Sequence, residues 1–178
     1  MANRLLVMLV MLVLGGAAGC GKEIGDDCSF STDCDPNGER ICDVSSQDGY
    51  CTIQGCDYFT CPEEAVCVQF FTGSFANKTC DPTATADDCA AEDRTITDPT
   101  AERRCCGFDE LCAVDGQCVP RASEFRYCMR RCGNDGDCRE GYECRDLARM
   151  KEHGGQPLLS PGDAIDENAP RFCAQKLP

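Results

Sequence analysis

The residues best equipped for chemistry in this 178-residue chain are its 19 cysteines. A thiolate can exchange electrons, ligate zinc, carry an acyl chain or cross-link, and spacing discriminates among these uses. No two cysteines are separated by two residues, so the C-x-x-C step of thiol redox sites and zinc knuckles is absent, and C-x-x-C-H haem attachment with it. The vicinal pair Cys105-Cys106 comes nearest to a redox switch, but adjacent half-cystines bridging to two different distant partners is the favoured reading. Cross-linking remains as the main use, and an odd count leaves one thiol for another fate.

Other chemistry is sparse. The single histidine, His153, stands in Glu152-His153-Gly154-Gly155, a fragment with the look of an esterase oxyanion loop, yet no G-x-S-x-G elbow accompanies it. A solvent-exposed loop histidine is expected. Asn134, Asp135 and Asp137 offer hard oxygen ligands and are weak calcium candidates, although the EF-hand spacing is missing. Asn77-Lys78-Thr79 is a formal glycosylation sequon without an expected role. Neither a catalytic residue nor a cofactor is implied, and the chain reads as non-enzymatic.

Composition agrees with cross-linking. From residue 20 onward only 25 of 159 residues are Ile, Leu, Val, Phe or Met, about 16%, which is below what a self-sufficient core needs. Disulfides must replace the missing burial, each contributing about 2–5 kcal/mol. The formal charge is -14. The densest basic stretch, Arg126 to Arg131, is short and followed by acids, so nucleic acid is not an expected partner. An acidic solvated surface suits an exported protein.

The N-terminus supplies an export signal. Met1-Ala2-Asn3-Arg4 is a positively charged start, and the apolar run Leu5–Leu14 is too short to span a bilayer. Small residues then lead into a cysteine, Ala17-Ala18-Gly19-Cys20. Here the chain resembles bacterial lipoproteins, whose lipobox cysteine becomes the lipidated N-terminus; Ala17 stands where that family more often carries Leu. The resemblance implies lipidation of Cys20 by palmitate-class chains, firm anchoring because two or more chains hold where one does not, and, with Gly21 in place of Asp, an outer-membrane address in the bacterial cell envelope. Ordinary cleavage and secretion is the alternative. Parity supports the lipid: removing Cys20 leaves 18 cysteines, enough for nine bridges.

The half-cystines expected are Cys28, Cys34, Cys42, Cys51, Cys56, Cys61, Cys67, Cys80, Cys89, Cys105, Cys106, Cys112, Cys118, Cys128, Cys132, Cys138, Cys144 and Cys173. Four triplets recur among them: Cys28-Cys34-Cys42, Cys56-Cys61-Cys67, Cys106-Cys112-Cys118 and Cys132-Cys138-Cys144. Connectivity cannot be deduced from spacing. Ser-Phe-Ser-Thr-Asp before Cys34 and Gly-Asn-Asp-Gly-Asp before Cys138 can cap tight turns beside a half-cystine. The run Cys132 to Cys144 resembles fragments of Dickkopf-type and EGF-like modules and of the Cys-rich envelope lipoproteins of myxobacteria, without the C-x-C step of the full EGF framework.

The elements expected to position these residues are few. The fold class is small, disulfide-rich and loop-dominated, with short strands (66–71 and 117–120) and one or two short helices (82–91 and 99–106, each behind an Asp-Pro start). Thr60-Cys61-Pro62-Glu63 has capping-box spacing for a helical turn, and the long gap from Cys144 to Cys173 reads as a surface loop. The organisation is a signal peptide (1–19), a lipidated polar tether (20–27), a first Cys-rich module (28–80), an acidic helical connector (81–104) and a second Cys-rich module (105–178). Tyr58-Phe59, Phe70-Phe71 and Phe75 could form an exposed contact patch, with packing around the bridges the favoured use. The functional expectation is a lipid-anchored envelope protein with a structural or protein-binding role toward an unidentified envelope or extracellular partner. A secreted inhibitor or ligand-like module and a calcium-dependent adhesion module are the alternatives.

Overall fold

A computed structural model describes residues 21–73, 78–84, 86–95, 104–160 and 163–177. Cys20 and Phe75 lie outside the described residues.

All cysteines from Cys28 to Cys173 are paired, in nine bridges. Eight of them form four copies of one unit. In each unit four cysteines, taken in chain order, connect first to third and second to fourth, and the third and fourth stand opposite each other on an antiparallel strand pair. The first unit has Cys28–Cys42 and Cys34–Cys51, with Cys42 facing Cys51 across β1 (Ile41–Cys42) and β2 (Cys51–Thr52). The second has Cys56–Cys67 and Cys61–Cys128, with Cys67 facing Cys128 across β3 (Ala65–Phe71) and a later strand, Glu124–Arg130. In the third, Cys80–Cys112 and Cys106–Cys118 flank β4 (Glu110–Cys112) and β5 (Cys118–Pro120), where Cys112 faces Cys118. The Glu124–Arg130 strand is β6. In the fourth, Cys132–Cys144 and Cys138–Cys173 flank β7 (Tyr142–Arg145) and the last strand, Phe172–Gln175, where Cys144 faces Cys173. The ninth bridge, Cys89–Cys105, lies outside the units.

The repetition extends to metric detail. First-to-third bridges have Cα separations of 5.8–5.9 Å and second-to-fourth bridges 5.4–5.6 Å. Facing residues of an antiparallel pair project to one side of the sheet, so both bridges of a unit stack on that side. In three units the residue before the second cysteine closes the loop from the first. Asp33 accepts from the Ser29 and Phe30 amides (2.8 and 2.9 Å), Asp137 from the Gly133 and Asn134 amides (2.7 and 3.0 Å), and the Thr60 hydroxyl from the Asp57 amide (2.7 Å). The triplet Cys106-Cys112-Cys118 is therefore out of phase with the other three: it supplies the second to fourth cysteines, and Cys80 the first.

The central sheet has the order β6-β3-β8, where β8 is Gln156–Pro157 and the last strand is β9. β3 is a near-continuous apolar run, which suits a strand covered on both faces. Its seven residues pair in register with β6, from Ala65 opposite Arg130 to Phe71 opposite Glu124. A strand from residues 28–80 thus pairs along its length with one from residues 105–178, and Cys61–Cys128 binds the two covalently. Val66, Val68, Val114, Met129, Met150 and Phe172 are buried around this sheet. The first and fourth units meet through Tyr50 stacked on Tyr142 (centroids 5.4 Å apart), with the Arg139 guanidinium 4.2 Å above the Tyr142 ring. Burial raises the pKa of both tyrosines above the ordinary phenol value.

Several expectations change. Residues 21–27 are not a free tether: Ile24 is fully buried, the Gly25 amide donates to the Cys51 carbonyl (2.9 Å), and the Cys51 amide donates to the Asp26 carbonyl (2.9 Å). One apolar side chain in a polar stretch was enough to dock it. Thr60–Glu63 is no helical turn, because Thr60 bonds backward to Asp57 and Pro62 opens a β-turn into β3. Helix α2 (Ala86–Thr95) begins later than expected, since Asp81-Pro82 makes a turn closed by Asp81 with Thr83 and Ala84; α1 is the short helix Ser31–Cys34. Of the expected 99–106 helix, 99–103 lies outside the described residues, and Arg104 to Cys106 is not helical. The stretch between Cys144 and Cys173 contains α3 (Leu147–His153), capped by Asp146, and the buried strand β8, so it is not a plain loop. Apolar Met150 and the edge of β3 hold it down.

Candidate binding surface

His153 ends α3, half-buried rather than solvent-exposed. Its Nδ1 lies 2.6 Å from Glu143 Oε1, and the same oxygen accepts from Arg145 Nε (3.1 Å). Arg145 also donates to the carbonyls of His153, Gly154 and Gln175 (2.8–2.9 Å), which satisfies the end of α3 and fastens it to β9. Glu143 and Arg145 are buried, and burial lowers the pKa of the guanidinium while Glu143 opposes that shift. The described polar neighbour of His153 Nε2 is Glu152, at 3.9 Å, and no described hydroxyl or thiol hydrogen-bonds it. Gly154 and Gly155 both have positive φ, and a Cβ on Gly155 would meet Phe70 at 2.7 Å. The His-Gly-Gly run is a helix end and a close approach, not an oxyanion loop.

The candidate calcium ligands are engaged by protein donors. Asp135 faces the Arg149 guanidinium and accepts from the Cys144 amide (2.9 Å), which holds its pKa down at about 2. Asn134 accepts from Gly136 (2.8 Å), and the two amides on Asp137 lower its pKa. The basic stretch is likewise occupied: Arg126 pairs with Glu124 and Asp57, Arg130 with Glu23 and Asp26, and Arg131 donates to the Ala65 carbonyl. Cys105 and Cys106 part company, to Cys89 and Cys118.

The aromatic residues divide. Phe70 packs edge-on against Phe172, with centroids 6.2 Å apart, as core. Phe59 is 85% exposed with φ 61°, so an apolar side chain stands in water on a left-handed backbone that costs about 1–3 kcal/mol. It overhangs a groove of about 760 Å³. One wall is Tyr58, Phe59 and Pro62, and the other is Leu158, Leu159 and Pro170, with Glu63, Asp163 and Asp166 along it. The Tyr58 hydroxyl hydrogen-bonds Ser160 between the walls. The Tyr58-Phe59 dipeptide was visible in the sequence, but the wall after β8 carries no local pattern. Two further exposed phenylalanines, Phe30 and Phe108, share the local spacing C-x-F-x3-C, between the first and second cysteines of the first unit and between the second and third of the third unit. Such a surface can hold an extended apolar segment, and its three acidic residues outnumber the one basic residue that lines it, Arg131.

The protein belongs to the class of small, disulfide-rich, loop-dominated proteins, built here on four repeats of a two-bridge unit. Nine bridges suit an oxidising setting, extracellular or in a cell envelope. No helix among the described residues is long and apolar enough to cross a membrane. Set against protein-family profiles, curated proteins and solved structures, the chain matches none.

Proposed function

We propose that the protein is a non-enzymatic, lipid-anchored protein of the bacterial cell envelope, in the outer membrane, that presents rigid inter-cysteine loops to a protein partner. The observation that carries the anchor is the pairing itself: with every cysteine from Cys28 onward in a bridge, Cys20 is the one left over, and it stands in the lipobox-like Ala17-Ala18-Gly19-Cys20. The binding role is supported by the strained, exposed Phe59 over an apolar groove with acidic residues.

Intact mass of membrane-extracted protein, with and without reduction and alkylation, tests the anchor. Acyl mass and no free thiol are expected, whereas an unmodified Cys20 refutes it. Crosslinking in cells tests the role: Phe59→Ser should fold and abolish capture of a defined partner band, and unchanged capture refutes the groove as the contact.

A further inference from the structure

A lipoprotein anchored through a flexible spacer can lift its body away from the bilayer. Among the described residues, 21–27 do not form such a spacer. Gly21 lies against the end of α1, where a Cβ would fall 2.8 Å from the Cys34 carbonyl oxygen. Lys22 is held through its carbonyl by Arg40, and through its ammonium by the Asp27 carbonyl (2.8 Å). Ile24 is fully buried. Cys20 directly precedes this rigid body in the sequence. Phe30 stands at the other end of the same four-residue helix, about 6 Å along its axis. It is 70% exposed, and Val44 in the same unit is 73% exposed. The polar layer of one leaflet is about 5–8 Å deep, comparable with the roughly 6 Å that separates the two ends of α1.

On the reading that Cys20 is acylated, we infer that the first unit is seated on the lipid surface, with Phe30 inserted among the headgroups, and that the anchor fixes the body's orientation rather than only its location. The surrounding Asp27, Asp33 and Asp35 match a zwitterionic surface better than an anionic one. The remaining units are then held in a set attitude above the membrane.

The absence of tryptophan from the chain makes the test clean. Full-length acylated Phe30→Trp and Phe108→Trp are each reconstituted in phosphatidylcholine–phosphatidylethanolamine vesicles with and without brominated acyl chains. Emission from Phe30→Trp should fall at least about twofold in brominated vesicles, as for a ring at the headgroup–acyl boundary, and that from Phe108→Trp should change little. A Gly/Ser insert of about twelve residues between Cys20 and Gly21, reaching roughly 19 Å, should bring Phe30→Trp down to the Phe108→Trp level. Acylated protein with no quenching of Phe30→Trp, with equal quenching at both positions, or with quenching that survives the insert overturns the seating while leaving the anchor intact. Absence of acyl mass on Cys20 in the same preparations overturns the anchor, and the seating with it.

Discussion

The bridge between Cys61 and Cys128 offers the sharpest test of how the fold is held. Replacing both by serine opens a ring of 67 residues. In the chain-entropy treatment a ring of that length is worth about 4.4 kcal/mol at 25 °C. The Cys80–Cys112 bridge short-circuits the ring, leaving a path of about 35 residues and a value near 3.8 kcal/mol. At about 2–4 °C per kcal/mol for a chain of this size, the double variant should melt roughly 8–16 °C lower. The comparison variant removes Cys89–Cys105, which tethers the peripheral helix α2. That loss should open α2 locally and leave the main transition in place. Melting followed by near-ultraviolet circular dichroism under non-reducing conditions, with thiol counting by mass, reads both. A Cys61→Ser/Cys128→Ser protein melting within about 3 °C of the parent would show that the seven-pair β3–β6 ladder suffices alone, and would refute the reasoning.

Ile24→Ala should destabilise by about 2–5 kcal/mol in urea unfolding, as for a core residue, where a free tether predicts no change. Glu143→Gln should cost about 3–5 kcal/mol, because it strips the buried Arg145 of its counter-charge, and His153→Gln should cost clearly less, as denaturation midpoints will show. Asp135 has its carboxyl held at about 2 by Arg149 and the Cys144 amide, below the ordinary 3.8. Its stabilisation is complete above the ordinary value and lost as pH falls through about 2, so melting temperature should drop below about pH 4 and Asp135→Asn should flatten that drop.

The cysteine triplets and the turn-capping Asp33 and Asp137 were legible because they are local: five intervening residues and an Asx side chain suffice to make a small loop. The strands 65–71 and 118–120 were legible for the same reason, as short apolar runs. The fourth cysteine of the first, second and fourth units was not. Cys128 lies 61 residues beyond the Cys67 it faces, and only strand register brings them together. The third triplet misled because its first cysteine, Cys80, is separated from it by α2. Ile24 gives no sign of burial in the sequence, because a single apolar residue has no period. The burial of His153 leaves no local trace, because its partner Glu143 sits across a strand-to-helix turn. The groove's second wall, with Leu158 and Leu159, follows from β8 pairing with β3, a contact no window of sequence contains.

The facing cysteines carry a hazard of their own. Residues opposite each other on an antiparallel pair lie about 4.5–5.5 Å apart at Cα, inside the span that a disulfide accepts. Each unit therefore holds a rival pairing, third to fourth, which forms when a thiolate opens the first-to-third bridge and the released third cysteine attacks the fourth, displacing the second as a thiolate. Such exchange needs a thiolate to start it. With the other eighteen cysteines paired, an acyl group on Cys20 would remove the last initiator in the chain. Lipidation would then do more than moor the protein: it would quench the chain's own capacity to scramble, and lock four ambiguous pairs of cross-links in the arrangement in which they were made.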